Sequence, residues 1–265
     1  MATREEILAE LGLAPPWRLR RTRVPARDRS GVTMREDAAH PTPTAPVVPV
    51  APAARAAPDV HVTPTAPAVR VTRIATLDWT ALRSDILGCT ACGLSRTRRQ
   101  AVPGVGDVRA DWLFVGEAPG ADEDAQGEPF VGQAGKLLDA MLAAIGVSRG
   151  EAVYIANVLK CRPPNNRTPE PAEVDACKPY LDRQIALIGP RLIVALGRSA
   201  AATLLGADAS IASLRGRIHR YGDVPLLVTY HPAYLLRNLP DKAKAWEDLL
   251  LARRTLRESS AVGSA

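Results

Sequence analysis

Residues 112–138 read WLFVGEAPGADEDAQGEPFVGQAGKLL. Trp112 to Val115 is a short apolar run of the kind that makes a buried strand. The chain then turns through Gly116, Pro119 and Gly120, with the carboxylate of Glu117 at the turn. An acidic loop follows, then Phe130 between Pro129 and Gly132, then a helix whose apolar positions are 137, 138, 141 and 142. A strand that hands a carboxylate and glycines to a crevice before a helix is how open α/β sheets build sites. Glycine there lets another group come close to the backbone. Neither common phosphate motif is present, since the stretch has no Gly-Lys-Ser/Thr and no G-x-G-x-x-G.

Outward from this stretch, strand candidates recur at 112–115, 153–158, 191–196 and 225–230. Helical patterns fall at about 78–87, 133–145, 171–187, 199–205 and 241–257. Strands alternating with helices predict an α/β fold: a three-layer αβα sandwich around a central four-stranded, mainly parallel sheet. Each strand ends in residues with chemistry to offer. They are Glu117, then Asn157 with Lys160-Cys161-Arg162, then Gly197-Arg198-Ser199, then His231-Pro232. Ligands of such sheets bind beyond the carboxyl ends of the strands, so the four groups are expected in one site.

Between Arg20 and Arg73 there is no Leu, Ile, Phe, Trp or Tyr. Such a segment cannot bury enough apolar surface to offset its ordering entropy. A disordered Pro/Ala/Arg-rich linker is therefore expected over 15–73, ahead of a catalytic domain at 74–258 and a disordered end at 259–265. Residues 1–14 hold a short helix candidate, with Thr3 and Glu6 at capping-box spacing and Ile7, Leu8 and Leu11 on one face. A helix this short is marginal alone; it docks, binds a partner or frays. The net charge of +6 is unevenly placed: residues 1–73 carry 11 Lys and Arg against 7 Asp and Glu, the remainder 23 against 21. A generally basic fold is not supported, and the tail reads first as a soluble linker, with sequence-independent attraction to a polyanion as the lesser reading. No apolar run approaches the ~18 residues of a membrane span, and no signal-peptide core is present, so a cytoplasmic protein is expected.

The chain has only four cysteines: Cys89, Cys92, Cys161 and Cys177. The first two have the C-x-x-C spacing of a chelate, and structural disulfides are not expected in a cytoplasmic chain. A four-cysteine zinc site usually shows two close pairs. One close pair with two distant thiolates suits an iron–sulfur cluster better.

GEAPG, PFVGQAG, NVLKCRPPNNRTP and HPAYLLR, in this order and with all four cysteines, resemble the family-4 uracil-DNA glycosylases, the iron–sulfur members of their superfamily. The likeness covers about Asp78 to Ala252 and leaves the N-terminal tail outside. It implies an enzyme of base excision repair that flips uracil out of DNA, hydrolyses its N-glycosidic bond and leaves an abasic site. It also implies a structural 4Fe-4S cluster on Cys89, Cys92, Cys161 and Cys177, and a monomer acting on uracil-containing DNA.

By the same resemblance Glu117 holds the attacking water, helped by the backbone of Ala118, and His231 donates to uracil O2 as charge grows on the leaving base. Phe130 stacks on the base, Asn157 reads its Watson–Crick edge, and Glu123 crowds the C5 position against thymine. Leu235, four residues after His231, wedges into the gap, Arg237 reaches a phosphate, and Arg162, Arg198 and Ser199 meet the DNA backbone. Lys160 to Pro171 has no histidine and no basic insert, so the covalent trap of a related branch is not expected. Plainer readings exist for each residue: Phe130 as core, Asn157 as a turn, His231 as a satisfied loop histidine, with the same bland reading for His40 and His61 in the tail and for His219 in an expected edge strand. Two other functions compete. One is a non-catalytic iron–sulfur module that binds nucleic acid. The other is a metal-dependent nuclease using Asp122, Glu123 and Asp124.

Overall fold

The apolar runs form strands in the computed structural model, which describes residues 66–262. The strands are β1 Val105–Gly106, β2 Trp112–Gly116, β3 Val153–Asn157, β4 Leu192–Leu196, β5 Ile218–Tyr221 and β6 Val224–Thr229. They make one 6-stranded sheet in the order β1-β3-β2-β4-β6-β5. β3, β2, β4 and β6 are the four expected strands, and they pair in parallel. Every residue of β2, β3 and β4 is buried, the pattern of strands covered on both faces. The expected count of four strands is corrected by two short antiparallel edges, β1 on β3 and β5 on β6. β1 pairs through only two residues, and β5 alternates exposed with half-buried positions, so neither carries a continuous apolar run.

The helices are α1 Ala66–Thr76, α2 Trp79–Leu87, α3 Ala121–Gln126, α4 Gln133–Ala144, α5 Pro171–Ile188, α6 Arg198–Leu205, α7 Ile211–Leu214, α8 Pro232–Leu235 and α9 Lys242–Val262. Alternate strand residues feed two cores. Leu113, Val115, Ile193, Ala195, Leu226 and Val228 pack on α2, α5 and α6. Trp112, Phe114, Ile155, Val194 and Leu227 pack on α4 and α9. The period-2 alternation of the strands thus produces the three layers.

Two boundaries differ from expectation. Among the described residues α1 already belongs to the fold, ahead of the expected start at Ile74, because a charged residue does the docking that apolar residues usually do. The Arg70 guanidinium donates to Ala176 O at 2.8 Å and lies 4.9 Å over the Tyr180 ring, with Ile74 wholly buried beyond it. At the other end α9 runs to Val262, past the expected limit at 258. The helix candidate at 3–11 and the linker up to 65 lie outside the described residues. No helix among the described residues is long and apolar enough to cross a membrane.

One buried polar knot holds the end of β6 where the site needs it. Asp248 of α9, fully buried, accepts from Thr229 Oγ1 at 2.8 Å, Arg215 Nε at 3.1 Å and Gly216 N at 3.1 Å. Thr229 is the last residue of β6, two before His231.

Candidate active site

The parallel strands end side by side, and the register pairs Gly116 of β2 with Asn157 of β3. Glu117, Ala118, Glu123, Phe130, Asn157, His231 and Arg237 all line one cavity of about 410 Å³. A larger cavity, about 530 Å³, lies between α2 and β1 among Trp79, Ile86, Val105 and Tyr154. None of the expected site residues lines it.

Phe130 forms one wall. Its ring is buried and stacks on the His231 ring at 5.4 Å between centroids, with 29° between planes. Its backbone φ is +57°, a conformation costly for a bulky side chain. Gly116 is required by close approach: a Cβ there would strike both Asn157 Oδ1 and the tip of the Phe130 ring. The glycine thus lets the ring and the carboxamide close on the same small space.

Asn157 is 2% exposed. Its Oδ1 is buried without a hydrogen-bond partner, which costs about 1–3 kcal/mol unless something fills the site. The backbone carbonyl of Asn157 accepts from Lys160 Nζ at 2.7 Å, and that ammonium also donates to Gln184 Oε1 at 2.7 Å. Lys160 is fully buried, and burial brings its pKa down to about 8.

His231 caps α8: its Nδ1 accepts from Ala233 N at 3.1 Å. A neutral ring that accepts at Nδ1 carries its proton on Nε2. Burial, with the Arg237 cation adding to it, lowers the His231 pKa to about 4, so the ring is neutral at pH 7. Glu117 moves the other way. Burial raises its pKa, and pairing with the Ser199 hydroxyl partly offsets the rise. The site therefore offers a carboxylate, a neutral N–H donor, an empty carbonyl acceptor and an aromatic wall.

Several expected residues are placed differently. Leu235, expected as the wedge, is 1% exposed and packs with Tyr230 and Ala245. Its neighbour Leu236, the residue that closes α8, is 42% exposed. Glu123 borders the cavity, but Oε2 accepts from Gly120 N at 3.0 Å and Oε1 from Val131 N and Gly132 N at 2.9 and 3.1 Å. Its oxygens are thus committed to folding the loop around Phe130. Asp124 is buried and accepts from Arg99 N. The acidic run caps and ties α3, and no group of three or more His, Cys, Asp or Glu among the described residues is set to hold a metal ion. The Ser199 side chain pairs with Glu117. Arg198 forks onto Asp208 at 2.7 Å through both Nε and Nη2. Arg162 Nε donates to Asn166 Oδ1 at 2.7 Å on the surface.

The four cysteines share one neighbourhood. The Cys161 thiol is pushed up by burial and by Cys92 and Cys89, with Arg98 opposing. Cys177 is pushed up to about 12 by burial first, with Cys161 and Cys89 adding and Lys160 opposing. Donors converge on the sulfurs: Arg98 Nη1 to Cys161 at 2.8 Å, Lys160 N to Cys177 at 3.2 Å, Ala91 N to Cys89 at 3.5 Å and Arg70 Nη2 to Cys89 at 3.7 Å. Thiols ringed by cations and backbone N–H groups fit an anionic thiolate-bound cluster, whose ligands stand wider apart than those of a single ion.

An open α/β sheet with these groups at its carboxyl edge defines an α/β protein with one polar, aromatic-walled pocket beyond its parallel strands. A family model described as the Uracil DNA glycosylase superfamily matches residues 103–250. The chain is 51% identical over 160 residues to the type-4 uracil-DNA glycosylase of Archaeoglobus fulgidus, covering 57% of this chain and 80% of that protein. It is 49% identical to the type-4 enzyme of Thermotoga maritima, over 57% and 79% of the two chains. With that of Sulfurisphaera tokodaii it shares 45%, over 63% and 79%. The chain belongs to the uracil-DNA glycosylase superfamily and, within it, to the type-4 family.

Proposed function

We propose that this chain is a monofunctional glycosylase that removes uracil from DNA by hydrolysis and leaves an abasic site for repair. The observation that carries the reading is the buried, unpartnered Oδ1 of Asn157 beside the Phe130 ring. Uracil presents N3–H to that acceptor and O4 to the carboxamide NH₂. Cytosine presents the reverse at both atoms and would leave buried polar groups unpaired.

The chemistry follows from the protonation states. A water bonds to C1′ as the bond to N1 breaks, and the bonding pair leaves with the base. Negative charge then grows on uracil O2, where the Nε2–H of neutral His231 donates; being neutral, the ring stabilises that oxygen without surrendering a proton. Glu117, as carboxylate, orients the water, offsets positive charge at the sugar and takes the proton the water gives up, which then passes to solvent, where the departed uracil anion is also protonated. Ser199 holds that carboxylate in place, and Ala118 completes the turn. Phe130 stacks on the flipped base, an interaction worth ~1–3 kcal/mol. Leu236 fills the vacated step in the duplex, and Arg237, whose guanidinium borders the cavity, faces the backbone phosphate.

The family implies a 4Fe-4S cluster, and the donor set around Cys89, Cys92, Cys161 and Cys177 fits one. When bound it supplies a structural tie between the start of the fold and the Cys161–Cys177 segment. The reading further includes a monomeric, cytoplasmic protein, with Arg162 and Arg198 on the DNA side.

Cleavage of a labelled oligonucleotide bearing one uracil, in EDTA, tests this. Strand breakage should appear only after alkali. Breakage without alkali would identify a nuclease or lyase, and none at all would leave a binding module.

A further inference from the structure

The strained conformation of Phe130 is held by a residue that has no contact with the cavity. Arg149, beyond the end of α4, donates through Nη1 to Pro129 O and through Nη2 to Phe130 O, both at 2.8 Å. These two carbonyls belong to the peptides on either side of Phe130. Rotation about the Phe130 backbone would separate them, so one planar guanidinium that grips both fixes the turn between them. The second peptide is also gripped from its other end, because Val131 N donates to Glu123 Oε1 at 2.9 Å. Opposite charges thus clamp a single peptide plane. Arg149 is itself anchored by Asp139 of α4, whose Oδ1 accepts from Nε at 3.1 Å and Nη2 at 3.0 Å. Gly135 makes room for the arrangement, since a Cβ there would collide with Phe130 O.

A positive φ at a Phe persists only where its surroundings over-determine it. The geometry points to Arg149 as a positioning residue that presents the Phe130 ring to the flipped base, a role that rests on the glycosylase reading above. Lys cannot replace it, because an ammonium is a point donor without the fork.

The test uses the full chain in a Glu117→Gln background, whose residual turnover is slow against the time of a binding measurement. Arg149→Met should weaken binding of a uracil oligonucleotide about tenfold, the effect of losing most of one base stack. Binding of the matching abasic-site oligonucleotide, which has no base to stack, should be unchanged. Arg149→Lys should fall close to Arg149→Met. Equal losses on both DNAs would mark Arg149 as a phosphate contact or a general support and overturn the inference, as would no loss on either. If Arg149→Met does not fold, Asp139→Asn, which removes only the anchor, should show a smaller loss confined to uracil DNA; an equal loss on both, or none, would again overturn it. Turnover by the unmodified chain separates the two claims. If it releases no uracil, the glycosylase reading fails; if it does and the Arg149 variants bind normally, only the positioning role fails.

Discussion

At Asn157 an orphaned oxygen outweighs everything the strand pattern says about the residue. Asn157→Asp replaces the NH₂ donor by a second acceptor, so uracil O4 would face an oxygen. Uracil excision should fall on the order of a hundredfold, and discrimination against cytosine should fall with it, as single-turnover rates on both substrates will read. The titrating pair sets the pH profile by its signs. His231, lowered to about 4, stays neutral through neutral and mildly acid pH. Glu117 is raised above the usual carboxylate range, so as pH falls it is the first to take a proton, before His231 charges. Wild-type kcat/KM should decline along that Glu117 limb, and the residual activity of Glu117→Gln should stay flat until pH nears 4. The two adjacent leucines separate burial from function. Leu236→Ala should slow excision from duplex about tenfold while sparing single strands, where there is no gap to fill. Leu235→Ala should instead cost ~2–5 kcal/mol of stability, the range for emptying a core position.

Elements were legible where one signal dominated. β2, β3, β4 and β6 announced themselves as apolar runs, and the helical pattern at 78–87 became α2, which the structure caps with Asp78 and Gly88. The convergence of Glu117, Asn157 and His231 followed from parallel topology alone, since strands that run the same way end at the same edge. What stayed hidden was whatever depends on another element. β1 exists only because Val105 and Gly106 lie against Ile155 and Tyr154. The inward turn of Leu235 depends on α8, and the grip of Arg149 on two carbonyls leaves no mark in composition or spacing. The Asp248 knot is of this kind, joining α9 to the end of β6. Asp248→Ala would leave the Arg215 guanidinium without its buried partner and Thr229 without its acceptor. The expected cost is about 3 kcal/mol, read by chemical denaturation. His231 would lose its fixed approach from β6, so excision should fall as well.

For the whole molecule, the consequential difference between sequence and structure is where the fold starts. Composition sets the limit at Ile74 because the residues before it lack large apolar side chains. The structure shows docking by a cation and a buried isoleucine instead. Arg70 reaches Ala176 O, the Tyr180 face and Cys89 Sγ, so α1 is joined to α5 and to the cysteine neighbourhood at once. Two truncations therefore separate the tail from the fold. A chain begun at Ala66 keeps every residue of the cavity and all of α1, and should excise uracil from a single-uracil oligonucleotide like the full chain. A chain begun at Asp78 keeps the same cavity but loses the Arg70 contacts and buried Ile74. It should be less stable by at least the ~2 kcal/mol of one buried aliphatic side chain, and should lose the visible absorbance of a bound cluster on milder treatment with chelator. If the two chains melt together and keep the cluster equally, α1 contributes nothing to the fold and the limit at Ile74 was the right one.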